Sequence, residues 1–201
     1  STGSTGTTEN DPNNHQHQHT ITSLTPGTKY YYRVTTPATV ATGSFQTAPA
    51  ADATNVKFLA YGDTRTYPAS HDAIASAVNS TYAGDPNYQT MMLHSGDWVN
   101  ADTETNWTEE YFNRAYASTL QMQANIPIMG CMGNHEYPTT VPTTYYTKYW
   151  PYPYIANKYW SFDYGPAHIV VLDQYTTYTN PSAQYTWLLS DLSTSTKRWK
   201  I

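Results

Sequence analysis

Three short apolar runs, each ending in a turn that carries an oxygen donor, constrain this chain more than any other feature. Residues 56–61 run into Gly62-Asp63-Thr64-Arg65, residues 91–94 into Ser95-Gly96-Asp97-Trp98, and residues 126–129 into a turn with Gly130 and Gly133 that presents Asn134, His135 and Glu136. Runs this short suit buried strands rather than helices. Asp63 and Asp97 stand 34 positions apart, and Asp97 and Asn134 stand 37 apart. Each step is about one βαβ crossover. The pattern therefore predicts Asp63, Asp97 and Asn134 at the C-terminal ends of adjacent parallel strands, where open α/β sheets bind ligands. A plain turn explains either Gly-Asp pair alone. Two carboxylates, an amide oxygen and an imidazole converging on one edge suit a pair of hard or borderline cations.

Helical patterns fill both crossovers. In the first, Ser70 is a candidate cap, with Asp72 in the first turn and Ile74, Ala77, Val78 and Thr81 along one face. In the second, Asn106 with Glu109 three residues on reads as a capping box. Trp107, Tyr111, Phe112, Ala115 and Met122 share a face there, an aromatic stripe expected in the core. Downstream, residues 138–153 are rich in Pro, Tyr and Thr and read as a loop over the site. Residues 159–164 and 168–172 around Gly165-Pro166 read as a hairpin, Pro181 as the first residue of a helix with Tyr185, Leu188, Leu189 and Leu192 inward, and 198–201 as the start of a strand.

These ordered turns resemble those of the calcineurin-like metallophosphoesterases, most closely the purple-acid-phosphatase-like branch with a fibronectin-type domain in front. The resemblance implies an α/β fold, a metallophosphoesterase β-sandwich flanked by helices (αββα) and truncated here, occupying residues 51–201. Its cofactor would be two divalent or mixed-valence metal ions, iron, zinc or manganese. Asp63 would bind the first ion, Asp97 bridge both, and Asn134 bind the second, with His135 as the catalytic and substrate-binding residue facing the phosphoryl group. The substrate would be a small phosphate ester. Three departures stand out. Asn100 occupies the position of the family's phenolate ligand, which weakens the case for iron(III). Arg65 lies where the family often has Gly or His; it either clamps a phosphate oxygen as a substrate-binding residue or is ion-paired or solvated. The later His ligands are expected beyond Ile201, so the chain alone is expected to be catalytically weak.

Upstream, Pro26-Gly27 feeds an aromatic, β-branched stretch in which Tyr30 is placed to bond back across the turn, as a tyrosine corner does. With a last strand at 43–47, residues 1–50 resemble the late part of a fibronectin type III domain plus linker. Residues 1–14 are polar and are expected to lie outside regular structure. His15, His17 and His19 alternate on one strand face, read as solvated rather than metal-binding. Of the other imidazoles, His71 opens the first helix, His94 reads as a satisfied strand residue or a support behind the site, and His168 as structural.

A net charge of −5 without a Lys/Arg cluster argues against a nucleic-acid partner. No apolar run is long enough for a membrane span. The single Cys131 excludes an internal disulfide framework and reads as a small buried hydrophobe. Charged residues make up only 12% while tyrosines number 20, a balance that fits a secreted, extracellular protein. Asn79 and Asn106 each begin a glycosylation sequon. The competing function class is a non-catalytic surface or assembly protein whose half sandwich self-associates or accepts a strand from another chain. A carbohydrate-binding module draws only on the abundant Tyr and Trp.

Overall fold

The computed structural model describes residues 7–10, 15–37, 39–85, 88–137, 145–151 and 158–201. Its centre is a parallel sheet of β5 (Phe58–Tyr61), β6 (Met91–His94) and β7 (Ile128–Gly130), with β6 in the middle. Tyr61 pairs with His94 and His94 with Gly130, so the three strands end in register. The second run was expected at 91–94 and forms there. The third forms two residues late, because Pro127 cannot donate to a ladder and its carbonyl instead accepts from Met92 N–H at 2.8 Å.

A second sheet, ordered β10-β9-β8, lies against the first. β8 (Trp160–Tyr164) and β9 (Ala167–Val171) are the expected hairpin, and β10 (Trp199–Lys200) runs parallel to β9. Alternation along the strands sorts the side chains into layers. Met92, Leu59 and Ile128 face a core shared with the helices. Met91, Phe58, Leu93 and Met129 face Tyr164, Ala167 and Ile169 of the second sheet. Helices α1 (Pro68–Gly84) and α3 (Ala117–Asn125) cover the first sheet, and α5 (Ala183–Thr194) covers the outer side of the hairpin, where Ser161 and His168 both bond Asp191. The layers are helix, sheet, sheet, helix.

Helix details depart from the sequence expectation in instructive ways. Pro68 starts α1, and Ser70 lies inside it. Its buried face is His71, Ala75 and Asn79, while Ile74 is 53% exposed. Polar partners decide this. Tyr61 Oη and His71 Nε2 share a 3.1 Å hydrogen bond, and Asn79 Nδ2 donates to Ser118 O at 2.8 Å. In the second crossover Thr103, not Asn106, caps the short α2 (Glu104–Asn106), accepting from Asn106 N–H at 3.2 Å. A π turn over Trp107–Tyr111 follows. Trp107, Tyr111 and Met122 are buried as expected, and Ala115 is exposed. Within the Pro-rich segment, α4 (Tyr145–Tyr149) forms where a loop was expected, because Tyr146 is buried with its hydroxyl on Gly130 O. The rest of that predicted loop, 138–144 and 152–153, lies outside the described residues. Helix α5 begins after Ser182, whose hydroxyl accepts from Tyr185 N–H at 3.1 Å, so Pro181 precedes the cap. Leu189 points outward at 53% exposure and Gln184 is buried in its stead.

At the N-terminal end, β1 (Thr7–Asn10) pairs with β2 (His15–Gln18), giving residues 7–10 a strand that their polarity did not suggest. β3 (Lys29–Thr35) pairs with β4 (Val40–Gln46), and Tyr30 Oη accepts from Thr25 N–H at 2.9 Å. This hairpin is fastened to α3: Tyr32 Oη donates to Ala124 O at 2.8 Å and Ser44 Oγ to Asn125 Oδ1 at 2.9 Å.

Candidate metal centre at the ends of the parallel strands

The three turns after β5, β6 and β7 meet in one place. Asp63 and Asp97 both adopt the left-handed conformation, with φ of 56° and 57°. Asp tolerates this region better than most residues, and such strain concentrates at functional sites. The backbones of the first two turns are laced together, Asp63 N–H donating to Gly96 O at 3.0 Å and Arg65 N–H to Asp97 O at 3.2 Å. Gly96, at φ 94°, lets the third turn approach, since any side chain there would collide with the backbone of Met132 and Gly133. Gly133 in turn sits against the Asp97 carboxylate, and a methyl group at that position would strike Oδ1.

The donor groups follow from this backbone. Arg65 Nε lies 3.0 Å from Asp63 Oδ1 and 3.3 Å from Asp97 Oδ2; the sum of those two distances limits the separation of the carboxylate oxygens to 6.3 Å. Asp97 Oδ1 accepts from His135 N–H at 3.3 Å. Asn134 is therefore fixed between two neighbours, Gly133 and His135, that both touch Asp97. Among the described residues no three His, Cys, Asp or Glu side chains group as a metal site, so the donor set here is two carboxylates and an exposed amide. Those donors are hard oxygens, and the carboxylates already hold a cationic group between them. On both counts the two carboxylates fit a cation held between them.

Beneath the site, Glu136 joins the second and third turns. It is wholly buried, and its carboxylate accepts from four backbone N–H groups: Asp97 at 3.0 Å, Trp98 at 2.8 Å, Val99 at 3.0 Å and Gly133 at 2.9 Å. Burial raises its pKa above the usual carboxylate range, and the backbone donors work against that rise. Glu110 of the π turn does the same nearer the surface, accepting from Thr66 N–H at 2.9 Å and Asn100 N–H at 2.8 Å.

His94 lies under the second turn, 2% exposed, its ring stacked on Trp98 at 3.6 Å. Nδ1 accepts from Gly96 N–H at 3.2 Å, so the ring proton sits on Nε2 and is donated to Thr64 Oγ1 at 3.1 Å; Thr64 passes its own proton to Trp98 O at 3.1 Å. Burial holds His94 well below the usual imidazole pKa, and His71 adds to the effect. It is a neutral support behind the site. His135 differs. Its Nδ1 lies 2.6 Å from Asn100 O, a carbonyl that can only accept, so Nδ1 carries the proton and Nε2 is the ring atom left for a ligand.

The structure thus brings together Asp63, Asp97, Asn134, His135 and Arg65. It turns Asn100 away from a ligand role, since its side-chain oxygen accepts from Thr66 Oγ1 at 3.3 Å. The sequence reading named Glu136 in its motif without giving it a task. A carboxylate directly after a donor pair, with no basic residue nearby, is the signal that it serves backbone N–H groups. Cys131 lies just past β7, half-buried, its thiol pushed up to about 11 by burial. Neither sequon is free: Asn79 is buried, and Asn106 Nδ2 donates to Glu110 Oε1 at 2.7 Å.

The chain is similar to several known proteins. Over 187 residues the chain is 29% identical to probable purple acid phosphatase 20 of Arabidopsis thaliana, covering 86% of this chain and 40% of that one. It is also 30% identical, over a 187-residue alignment, to purple acid phosphatase 21 of the same plant, covering 88% and 39%. Its fold matches the structure of purple acid phosphatase PPD1 from yellow lupin (Lupinus luteus) seeds, with a TM-score of 0.65 at 16% identity over 90% of this chain and 36% of that one. The chain spans about two fifths of the length of these curated relatives. The family described as calcineurin-like phosphoesterase matches residues 56–201, and the chain belongs to that family.

Proposed function

We infer that this chain carries the first part of a two-metal centre that hydrolyses phosphate esters. The observation that carries this reading is the convergence of the Asp63 and Asp97 carboxylates to within 6.3 Å, with Asn134 held beside Asp97. Asp63 would hold one cation, Asp97 would bridge two, and Asn134 would hold the second. When bound, such ions supply Lewis acidity toward the phosphate and an acidified water for in-line attack. The chain's own residues do the rest. His135, its Nδ1 proton pinned to Asn100 O, presents Nε2 to the phosphoryl group and delivers a proton to the leaving oxygen when it is charged. Arg65, whose two Nη groups make no hydrogen bond among the described residues, is positioned to bind a phosphate oxygen. Glu136 keeps Asp97 and Asn134 in register.

The Tyr30 corner and the β3–β4 hairpin support a fibronectin-type reading of residues 1–50, with residues 51–201 as the phosphoesterase part. Exposed Tyr31, Val34 and Val40 on that hairpin support its being covered by a further strand or chain. The low charge content supports an extracellular setting, and among the described residues no helix is long and apolar enough to cross a membrane.

Hydrolysis of nitrophenyl phosphate with added Mn²⁺ or Zn²⁺, by a full-length protein that includes the residues after Ile201 and by its Asp97→Asn variant, tests the reading. Loss of a bridging carboxylate removes at least about a hundredfold of the rate, more than an outer-shell partner does. Equal rates in the two proteins would sink it.

A further inference from the structure

Among the described residues Arg65 is the one Lys or Arg paired with the site carboxylates, and its placement has consequences for how ions enter. Its side chain is 32% exposed and sits between carboxylates of unequal burial, Asp63 at 71% and Asp97 at 18% exposure. Its backbone is locked, with its N–H on Asp97 O at 3.2 Å and its carbonyl accepting from Tyr67 N–H at 2.7 Å. Only the side chain can move. A guanidinium keeps its charge at any working pH, so it cannot relieve crowding by losing a proton. A divalent ion bridging Asp63 and Asp97 needs the same oxygens that Nε now faces, and two cationic groups cannot share them at contact distance.

We propose that Arg65 is an exchangeable counter-ion: it holds Asp63 and Asp97 at ligand spacing, yields them to the entering metal, and by that release becomes available to the phosphate. This rests on the metallophosphoesterase reading above and adds a linkage to it. Arg65 is thus a positioning residue before metal binds and a phosphate contact afterwards. The geometry sets opposite signs for two affinities. Removing the guanidinium takes away a competitor for the carboxylates, so metal binds more tightly. The same removal takes away a donor from the phosphate, so phosphate binds the metal-loaded protein more weakly. A merely structural arginine would lower both affinities together.

The test is titration calorimetry of the 201-residue chain and its Arg65→Ala and Arg65→Lys variants with Mn²⁺ alone, then of each Mn²⁺-saturated protein with inorganic phosphate. Two partly exposed ion pairs give an expected gain of about tenfold in Mn²⁺ affinity for Arg65→Ala. Loss of a charge-assisted contact gives a drop of about tenfold in phosphate affinity. Arg65→Lys, which keeps the charge without the fork, falls between wild type and Ala for Mn²⁺. It carries the comparison should the Ala chain fail to fold. Mn²⁺ binding by Arg65→Ala (or Arg65→Lys in its place) that is equal to or weaker than wild type overturns the exchange alone. No Mn²⁺ binding by any of the three overturns the exchange and the metal-centre reading together.

Discussion

Two histidines, His94 below the metal-centre turns and His168 beneath α5, both expose little surface, 2% and 7%, and are driven in opposite directions. His94 meets backbone N–H, a hydroxyl and aromatic rings, so burial dominates and the ring stays neutral. His168 lies 2.8 Å from Asp163 and 2.7 Å from Asp191; burial works against its charge, and the two carboxylates outweigh it, raising its pKa above the usual imidazole value. The difference teaches how each region is built. Beneath the candidate site the platform is assembled from backbone donors around neutral His94 and acidic Glu136. The outer face of the second sheet is held by side-chain charge, with Lys197 3.4 Å from Asp163 and Ser161 donating to Asp191 at 2.7 Å. Depth and partners together set protonation: His94 lies deep among uncharged groups, and His168 lies nearer the surface between two carboxylates.

The contrast breaks most visibly at Glu136. Glu136→Ala orphans four backbone donors, and is expected to cost about 4 kcal/mol of stability, read from the urea midpoint, together with Mn²⁺ binding. A loss below about 1 kcal/mol would mean that water replaces the carboxylate and the platform is not built on it.

A pH series sharpens the contrast next. His71, bonded to Tyr61, is held at about 4 by burial against a usual 6.5, with Asp72 opposing. The unfolded chain takes up that proton first, so stability falls as pH drops from 6.5 toward 4, by about 3 kcal/mol. His94 adds in the same direction. His168 has the reverse sign: its contribution is complete below about 6.5 and is lost as pH rises through its raised folded value. Protection factors of β6 amides, referred to the intrinsic exchange rate at each pH, are expected to fall in acid, and those of α5 amides in alkali. The same order of loss in both regions would refute the division.

The smallest effect is that of His168→Ala, about 2 kcal/mol. It stays below the cost of a fully buried pair because Asp163 is half-exposed and keeps Lys197 while Asp191 keeps Ser161. Measured at pH 6 and again at pH 9, the loss should shrink at the higher value.

The legible parts of this fold were those whose cause lies within a few residues. β6, the hairpin at Gly165 and the turns that carry Asp63, Asp97 and Asn134 follow from apolar runs and turn chemistry. The face of α1 was not legible, since Ile74 looks inward by hydropathy while His71 and Asn79 are drawn in by partners 10 and 39 positions away. α4 was hidden by the prolines that flank it and is stabilised by Tyr146 reaching Gly130. Glu136 and Arg65 were the hardest cases, because their tasks are defined by groups on other turns. For Arg65 the sequence left open an ion pair, and the partners turn out to be the very carboxylates of the site.

Because one side chain of the third turn grips the main chain of the second, Asp97 and Asn134 cannot be re-aimed independently. The two motifs are in effect a single structural unit. Transplanting either turn alone onto another scaffold would leave its ligand pointing wherever local backbone preference sends it, whereas moving residues 95–100 with 130–137 as a unit would carry the geometry along.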